Sequence, residues 1–252
     1  MTDRSAQPGR RARRSPEFPL PYTTVDVVIF TVLDQALQVL LVQRPDGADE
    51  PFPGRWALPG GFVDVALDAS LEDCARRKLV EKTAVASPYL EQLGSWGSAT
   101  RDPRGWSATH VYFALIPGQD VMLAKGANAA NVAWFDVDEV TQKSGLAFDH
   151  DDILQTAVER LRSKVEYTSL PAFLLSEPFT LPQLQRMYEV VLGRPVDKSG
   201  FRTRMLAAGF LKEAGYAAGE SNRPAMGYRL ADRHTPVIFP RTFSPRAPNT
   251  NE

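Results

Sequence analysis

Leu58–Val85 reads LPGGFVDVALDASLEDCARRKLVEKTAV, a Gly-Gly turn followed by one long amphipathic segment. Apolar Leu71, Ala75, Leu79 and Val80 recur at helical spacing, while Glu72, Arg76, Arg77, Lys78, Glu81 and Lys82 occupy the other faces. The spacing predicts a helix lying on a core.

With Arg77-x-Leu79-x-Glu81 inside that helix, the stretch resembles the Nudix box, G-x5-E-x7-R-E-U-x-E-E-x-G-U with U aliphatic. Anchored on Arg77, the chain keeps Leu79, Glu81 and Val85. It places Lys78 and Lys82 where two glutamates belong, Ala84 for the glycine and Ala69 for the first glutamate, and two extra residues follow Gly61. In a working Nudix enzyme the glutamates gather on one face because a hard cation such as Mg²⁺ needs several carboxylate oxygens beside a pyrophosphate. Positions 78, 81 and 82 share a face at i, i+3 and i+4. Ammonium groups at two of them turn that face cationic, and one like-charge contact near a protein surface costs about 4 kcal/mol at ~4 Å. Tight binding of a divalent ion is not expected, and no metal site or catalytic residue is assigned. Lysine is a good point-charge partner for phosphate, so the expectation is a pocket that holds a nucleoside diphosphate compound, with Lys78 or Lys82 in place of the lost metal, and does not cut it. The alternative is that both lysines decorate a solvated helix.

The chain has 252 residues, 43% of them hydrophobic, enough for a sizeable core and more naturally two domains than one. No apolar run approaches the roughly 18 residues of a membrane span, and the N-terminus lacks a signal-peptide core. Cys74 is the only cysteine, which excludes an intrachain disulfide, reads as a small buried residue, and fits a reducing cytoplasm. The net charge of −1 conceals a division. Residues 1–16 carry five arginines against Asp3, a net of +4; residues 17–161 carry 11 basic and 21 acidic side chains, a net of −10; residues 162–252 carry 13 and 8, a net of +5. Basic ends around an acidic middle point to an anionic polymer as partner for the ends.

Residues 1–19, rich in Arg, Pro and Ser, read as a disordered basic tail. VDVVIFT (Val25–Thr31) and QVLLVQ (Gln38–Gln43) read as strands joined by a turn at Asp34-Gln35 and ended by Arg44, and PDGADEPFPGRWALPGG as a loop. Strands follow near Leu90–Gly97, Thr109–Ile116 and Val132–Val137, then a helix from about His150 to Lys164 with an apolar stripe of Ile153, Leu154, Ala157, Val158, Leu161 and Val165. This order gives an α/β/α sandwich, which the Nudix resemblance also implies over about residues 20–160. In Nudix members that take ADP-ribose, a stretch like RDPRGW (Arg101–Trp106) lies beside the pocket. The resemblance therefore implies effector binding by Arg44, Trp56, Phe62, Arg77, Lys78, Glu81, Lys82, Arg101, Arg104, Trp106 and Phe148, with arginines on phosphate or ribose and aromatic rings on adenine. Asp102-Pro103-Arg104-Gly105 is also good turn chemistry whether or not it binds anything.

From about Tyr167 the texture changes. Thr180 with Gln183 three residues on is a capping box, Pro182 fits a first turn, and Leu184, Met187, Tyr188, Val191 and Leu192 form a buried face ended by Gly193. A second helix, KSGFRTRMLAAGFL from Lys198, turns Phe201, Met205 and Ala208 inward, Ser199 and Thr203 outward, with Lys198, Arg202 and Arg204 on its flanks. A Gly- and Ala-rich ribbon closes on a strand at Gly227–Leu230. Helix, turn, basic helix and ribbon is the order of a winged helix-turn-helix, whose second helix fits the DNA major groove. Lys198, Ser199, Arg202, Thr203, Arg204 and, at the ribbon tip, Arg223 are the expected DNA contacts. Taken alone, the helix pair could equally be a subunit interface.

The chain thus divides into 1–19, a Nudix-like effector-binding domain at 20–162, a winged helix-turn-helix at 163–232 and a flexible tail at 233–252. RRKLVEKTAV, RDPRGW, LAFDH (Leu146–His150), FTLPQLQ (Phe179–Gln185) and NRPAMGYRL (Asn222–Leu230) together resemble the Nudix-related transcriptional regulators of NAD metabolism. That family implies a homodimeric repressor on palindromic double-stranded operator DNA that lets go when ADP-ribose fills the Nudix pocket, with no cofactor required. The rival is an active Nudix pyrophosphatase acting on ADP-ribose or a related nucleotide, with an irregular metal site built from Asp64, Asp68, Glu72 and Asp73 near Glu81.

Overall fold

The computed structural model describes residues 20–84, 89–118, 131–217 and 225–240. Its first domain is a seven-stranded sheet in which β3 (Trp56–Ala57), β2 (Ala36–Gln43), β1 (Tyr22–Leu33), β6 (Ser107–Leu115) and β5 (Tyr89–Ser98) lie side by side, with β4 (Gly60–Phe62) on β1 and β7 (Asn131–Asp136) on β2. The β1–β6 pair is parallel and the other pairs are antiparallel. The β-branched run in β1 is buried on both faces. Val25, Val27 and Ile29 meet Cys74, Ala75 and Leu79 of helix α1 (Leu71–Thr83). Val28 and Phe30 meet Ile153, Leu154, Ala157 and Leu161 of helix α3 (His150–Val165). Two helices on opposite faces of one sheet make the expected sandwich, and the apolar stripe of α3 is buried as its spacing requires.

Ser70 caps α1 by accepting the Asp73 N–H at 3.1 Å. The helix stops at Ala84 with φ +55°. This left-handed position is where the Nudix pattern has its glycine, because a Cβ there costs about 1 kcal/mol. Asp34 and Gln35 turn the β1–β2 hairpin, both at positive φ.

Four local expectations are corrected. The Pro- and Gly-rich segment before α1 contains β3 and β4, because Trp56 and Ala57 pair with Gln43 and Val42 and Gly60–Phe62 pair with Asp26–Thr24. A short helix, α2 (Val137–Lys143), follows β7, started by Asp136, whose side chain accepts from Asp138 N and Glu139 N. The helix at Lys198 does not reach Leu211: α5 (Lys198–Ala207) ends before Gly209, whose φ of +69° turns the chain into a strand. The tail begins docked, with Phe239 only 4% exposed and its N–H donating to Tyr167 O at 2.7 Å. Residues 1–19 and 241–252, Val85 and Arg223 lie outside the described residues.

The second domain has α4 (Leu181–Leu192), α5 and a three-stranded sheet ordered β8 (Phe179–Thr180), β10 (Ala225–Leu230), β9 (Leu211–Ala217). Both halves of the capping box form at Thr180 and Gln183, and Gly193 ends α4 at φ +66°. Tyr188 is fully buried on Phe201, ring centroids 5.2 Å apart, and its hydroxyl donates to Thr168 O at 2.7 Å. The apolar cluster on the α3 face of the large sheet runs unbroken into this second core. Arg162 of α3 donates to Val191 O of α4 at 3.2 Å, and Arg194 pairs with Glu166 at 2.7 Å, so the far end of α3 is fastened to the winged helix.

A nucleotide-sized cavity and an exposed basic helix

A cavity of about 580 Å³ opens between the start of β1, β4, the cationic side of α1 and the Arg101–Arg104 turn. Of the residues expected to bind effector, Arg44, Phe62, Arg77, Lys78, Lys82, Arg101, Arg104 and Phe148 line it. Trp56, Glu81 and Trp106 do not. Trp56 is spent on the α3-side core, edge-on to Phe135 at 4.6 Å. Glu81 accepts from Arg77 at 2.9 Å, and Trp106 is half exposed outside the cavity lining.

The lining cations differ in what already holds them. Arg77 grips Asp68 through two hydrogen bonds of 2.7 and 2.6 Å and Glu81 through a third, which fastens the inserted loop to α1. Arg101 grips Asp149 through bonds of 2.9 and 2.7 Å. Arg104 pairs with Asp102 at 2.7 Å and lies over Phe62, and Arg44 pairs with Glu50 at 2.6 Å and lies over Phe148. Among the described residues, the ion pair of Lys78 is a 3.7 Å contact to Glu81. Lys82, 7% exposed, has no hydrogen bond or ion pair among the described residues. Burial pushes its ammonium below the ordinary lysine range and Lys78 adds to this, against the pull of Glu81. An ammonium without a protein partner, facing a cavity, suits an anion.

The donor set does not fit a divalent cation. Two ammonium groups stand on the face where carboxylates would be needed, and Glu81 is tied to Arg77 and Lys78. The displaced carboxylates do not converge either. Asp68 is taken by Arg77, Glu72 by Arg76, Asp73 by Ser70 and Asp64 by Ala66 N. Among the described residues no group of three or more His, Cys, Asp or Glu is placed to hold a metal.

The reading from sequence missed a buried polar cluster at the cavity floor. Asp26, Thr109, Arg101 and His150 meet there, brought together by the β1–β6 pairing and the start of α3. His150 Nδ1 accepts the Leu58 N–H at 2.9 Å, which assigns the tautomer with Nε2–H toward Asp26 at 3.6 Å. Burial works against ionisation of Asp26, but His150, the Thr109 hydroxyl and Arg101 together hold its carboxyl below the ordinary value. The one signal in the sequence was a lone acid inside VDVVIFT.

On the second domain, Lys198, Ser199, Arg202 and Thr203 are exposed along α5, while Phe201 and Met205 are buried beneath. Asp197 caps the helix, accepting Gly200 N–H at 2.6 Å. Arg204 sits differently from these four. It is half buried, with its guanidinium 5.7 Å from the Phe239 ring centroid, and burial lowers its pKa. From within α5 it packs against the docked start of the tail.

Fold and sites define a Nudix domain joined to a DNA-binding winged helix. The NUDIX domain family matches residues 22–157, and the NrtR DNA-binding winged helix domain matches residues 171–230. The chain is 44% identical over 225 residues to the ADPR responsive transcriptional repressor NtrR of Acinetobacter baylyi, covering 89% of this chain and 88% of that one. It is similar to the crystal structure of Shewanella oneidensis NrtR complexed with a 27mer DNA, with TM-score 0.79, 43% identity, and coverage of 88% of this chain and 99% of that one. It is also similar to the NUDIX domain of the same protein complexed with ADP ribose, with TM-score 0.53, 47% identity, and coverage of 59% and 94%. The chain belongs to the NrtR family of Nudix-domain transcriptional repressors.

Proposed function

We propose that the protein is an ADP-ribose-responsive repressor of NAD synthesis or salvage genes, acting in the cytoplasm. The winged helix binds palindromic operator DNA from a homodimer, and the Nudix domain binds ADP-ribose without hydrolysing it. The observation that carries this reading is Lys82, whose stem is buried and whose ammonium has no partner among the described residues, in the cavity lining at a position where a Nudix hydrolase needs a carboxylate. It supplies charge for a diphosphate and removes the site for a catalytic metal. The exposed α5 surface and the relative solved with DNA support the DNA half, and the relative's NUDIX domain solved with ADP ribose supports the effector half.

A two-fold dimer matches a palindrome because each recognition helix needs its own half-site about one helical turn away. Release requires ADP-ribose to prefer the dimer geometry in which the two helices no longer fit adjacent grooves; a hundredfold preference corresponds to about 2.7 kcal/mol of coupling. The test is isothermal titration of ADP-ribose in EDTA and again in Mg²⁺, with chromatography for released AMP. Equal affinity under both conditions with intact ligand is expected. Strictly Mg²⁺-dependent binding, or AMP formed at ordinary enzyme turnover, overturns the reading in favour of a pyrophosphatase.

A further inference from the structure

Asp26 lines the cavity and is 6% exposed, yet among the described residues only one of its two carboxylate oxygens accepts a hydrogen bond. Oδ2 accepts from Thr109 Oγ1 at 2.7 Å and faces His150 Nε2 at 3.6 Å and Arg101 Nη2 at 4.0 Å. No donor among the described residues reaches Oδ1. That oxygen stands 1.8 Å from where a Cβ at Gly60 would be, so it occupies the space a side chain there would fill, and Gly60 and Gly61 form the adjoining cavity wall. The missing Cβ keeps the carboxylate open to a ligand.

Oδ1 therefore opens on the cavity as an ionised acceptor without a protein donor, and a ligand that brings an O–H there gains a charge-assisted hydrogen bond. The cavity holds the opposite imbalance at Lys82, a donor without an acceptor. A bare phosphate satisfies the lysine and is repelled by the carboxylate. A phosphate ester of a sugar satisfies both, since carboxylates are good acceptors for ribose hydroxyls.

We propose that Asp26 is a specificity-determining residue that reads sugar hydroxyls, so that the cavity selects a diphosphate capped by a sugar over the uncapped nucleotide. The inference rests on the reading of the cavity as an ADP-ribose site. It is tested by isothermal titration of the full chain with ADP-ribose, with ADP, and with the β-methyl ester of ADP, which matches ADP-ribose in diphosphate charge but lacks the terminal hydroxyls. Wild-type protein is expected to hold ADP-ribose about tenfold to a hundredfold more tightly than the methyl ester, the range for hydrogen bonds to a charged group. It is expected to hold ADP more weakly still. Asp26→Asn is expected to lose most of the preference for ADP-ribose over the methyl ester, and to bind the methyl ester and ADP at least as tightly as wild type because the repelling charge is gone. Equal wild-type affinity for ADP-ribose and the methyl ester overturns the assignment whatever the variant does, and so does an Asp26→Asn protein that weakens both ligands by one factor. Failure of the wild type to bind any of the three contradicts the ADP-ribose reading, and this inference with it.

Discussion

Two lysines stand in this cavity where the Nudix box has glutamates, and they were legible because the box fixes which helix positions face the metal. Lys82 carries its charge at a cost, since burial of the side chain opposes ionisation. Lys82→Met is therefore expected to weaken ADP-ribose binding at least tenfold while leaving the melting temperature unchanged or raised, read by titration and thermal unfolding; wild-type affinity in that variant would remove Lys82 from the site. The other half of the cavity was not legible. Asp26 meets Thr109 across 83 positions of sequence, a contact created only by the parallel β1–β6 register. Arg77 was read as a ligand group and does line the cavity; its pairing with Asp68, from the loop with two extra residues, was not foreseen. The single cysteine was read correctly as buried, and burial chiefly pushes its thiol up to about 11. Native protein at pH 8 is accordingly expected to resist iodoacetamide that modifies the urea-unfolded chain within minutes, and rapid native alkylation would contradict that packing.

Among the elements, those with local signals were found and those made by partners were not. The capping box and Gly193 delimit α4, and a 3.6-residue apolar stripe gives α3. β3 and β4 are too short to carry a pattern and exist because β2 and β1 offer open edges. The end of α5 was missed because AAGF continues the apolar periodicity while Gly209 takes a positive φ. This shorter helix divides its arginines by role. Arg202→Ala, on the exposed side, is expected to lower operator affinity about tenfold, the low end for a direct base or phosphate contact, with ADP-ribose affinity unchanged. Arg204→Ala is expected to cost about 1 kcal/mol of stability through the lost packing on Phe239. Gel shifts and urea melts separate the two, and the opposite assignment of effects would put Arg204 on the DNA.

At the scale of the molecule, the acidic Nudix domain and the basic winged helix share one apolar core, and α3 runs from the cavity floor to the α4 contact. The two-domain order and the charge division were visible in composition. The seam was not, since its contacts, and the docking of Phe239, join segments far apart in sequence. Asp26, Asp68 and Asp102 are all held below the ordinary carboxylate value. Arg77 does this for Asp68, while for Asp26 and Asp102 neighbouring donors and cations outweigh burial. A carboxyl depressed in the folded state contributes stability that is present above about pH 4 and lost as pH falls below it. The urea midpoint is thus expected to drop between pH 5 and pH 3; a midpoint that holds or rises would contradict these ion pairs. The claim that joins both domains is that a metal-free nucleotide site controls a DNA-binding one. Fluorescence anisotropy of a labelled duplex from the promoter of the protein's own operon, in EDTA and titrated with ADP-ribose, tests it most directly. Saturable duplex binding that ADP-ribose reverses without metal is predicted, and duplex binding that is absent, or that ADP-ribose leaves untouched, would contradict it.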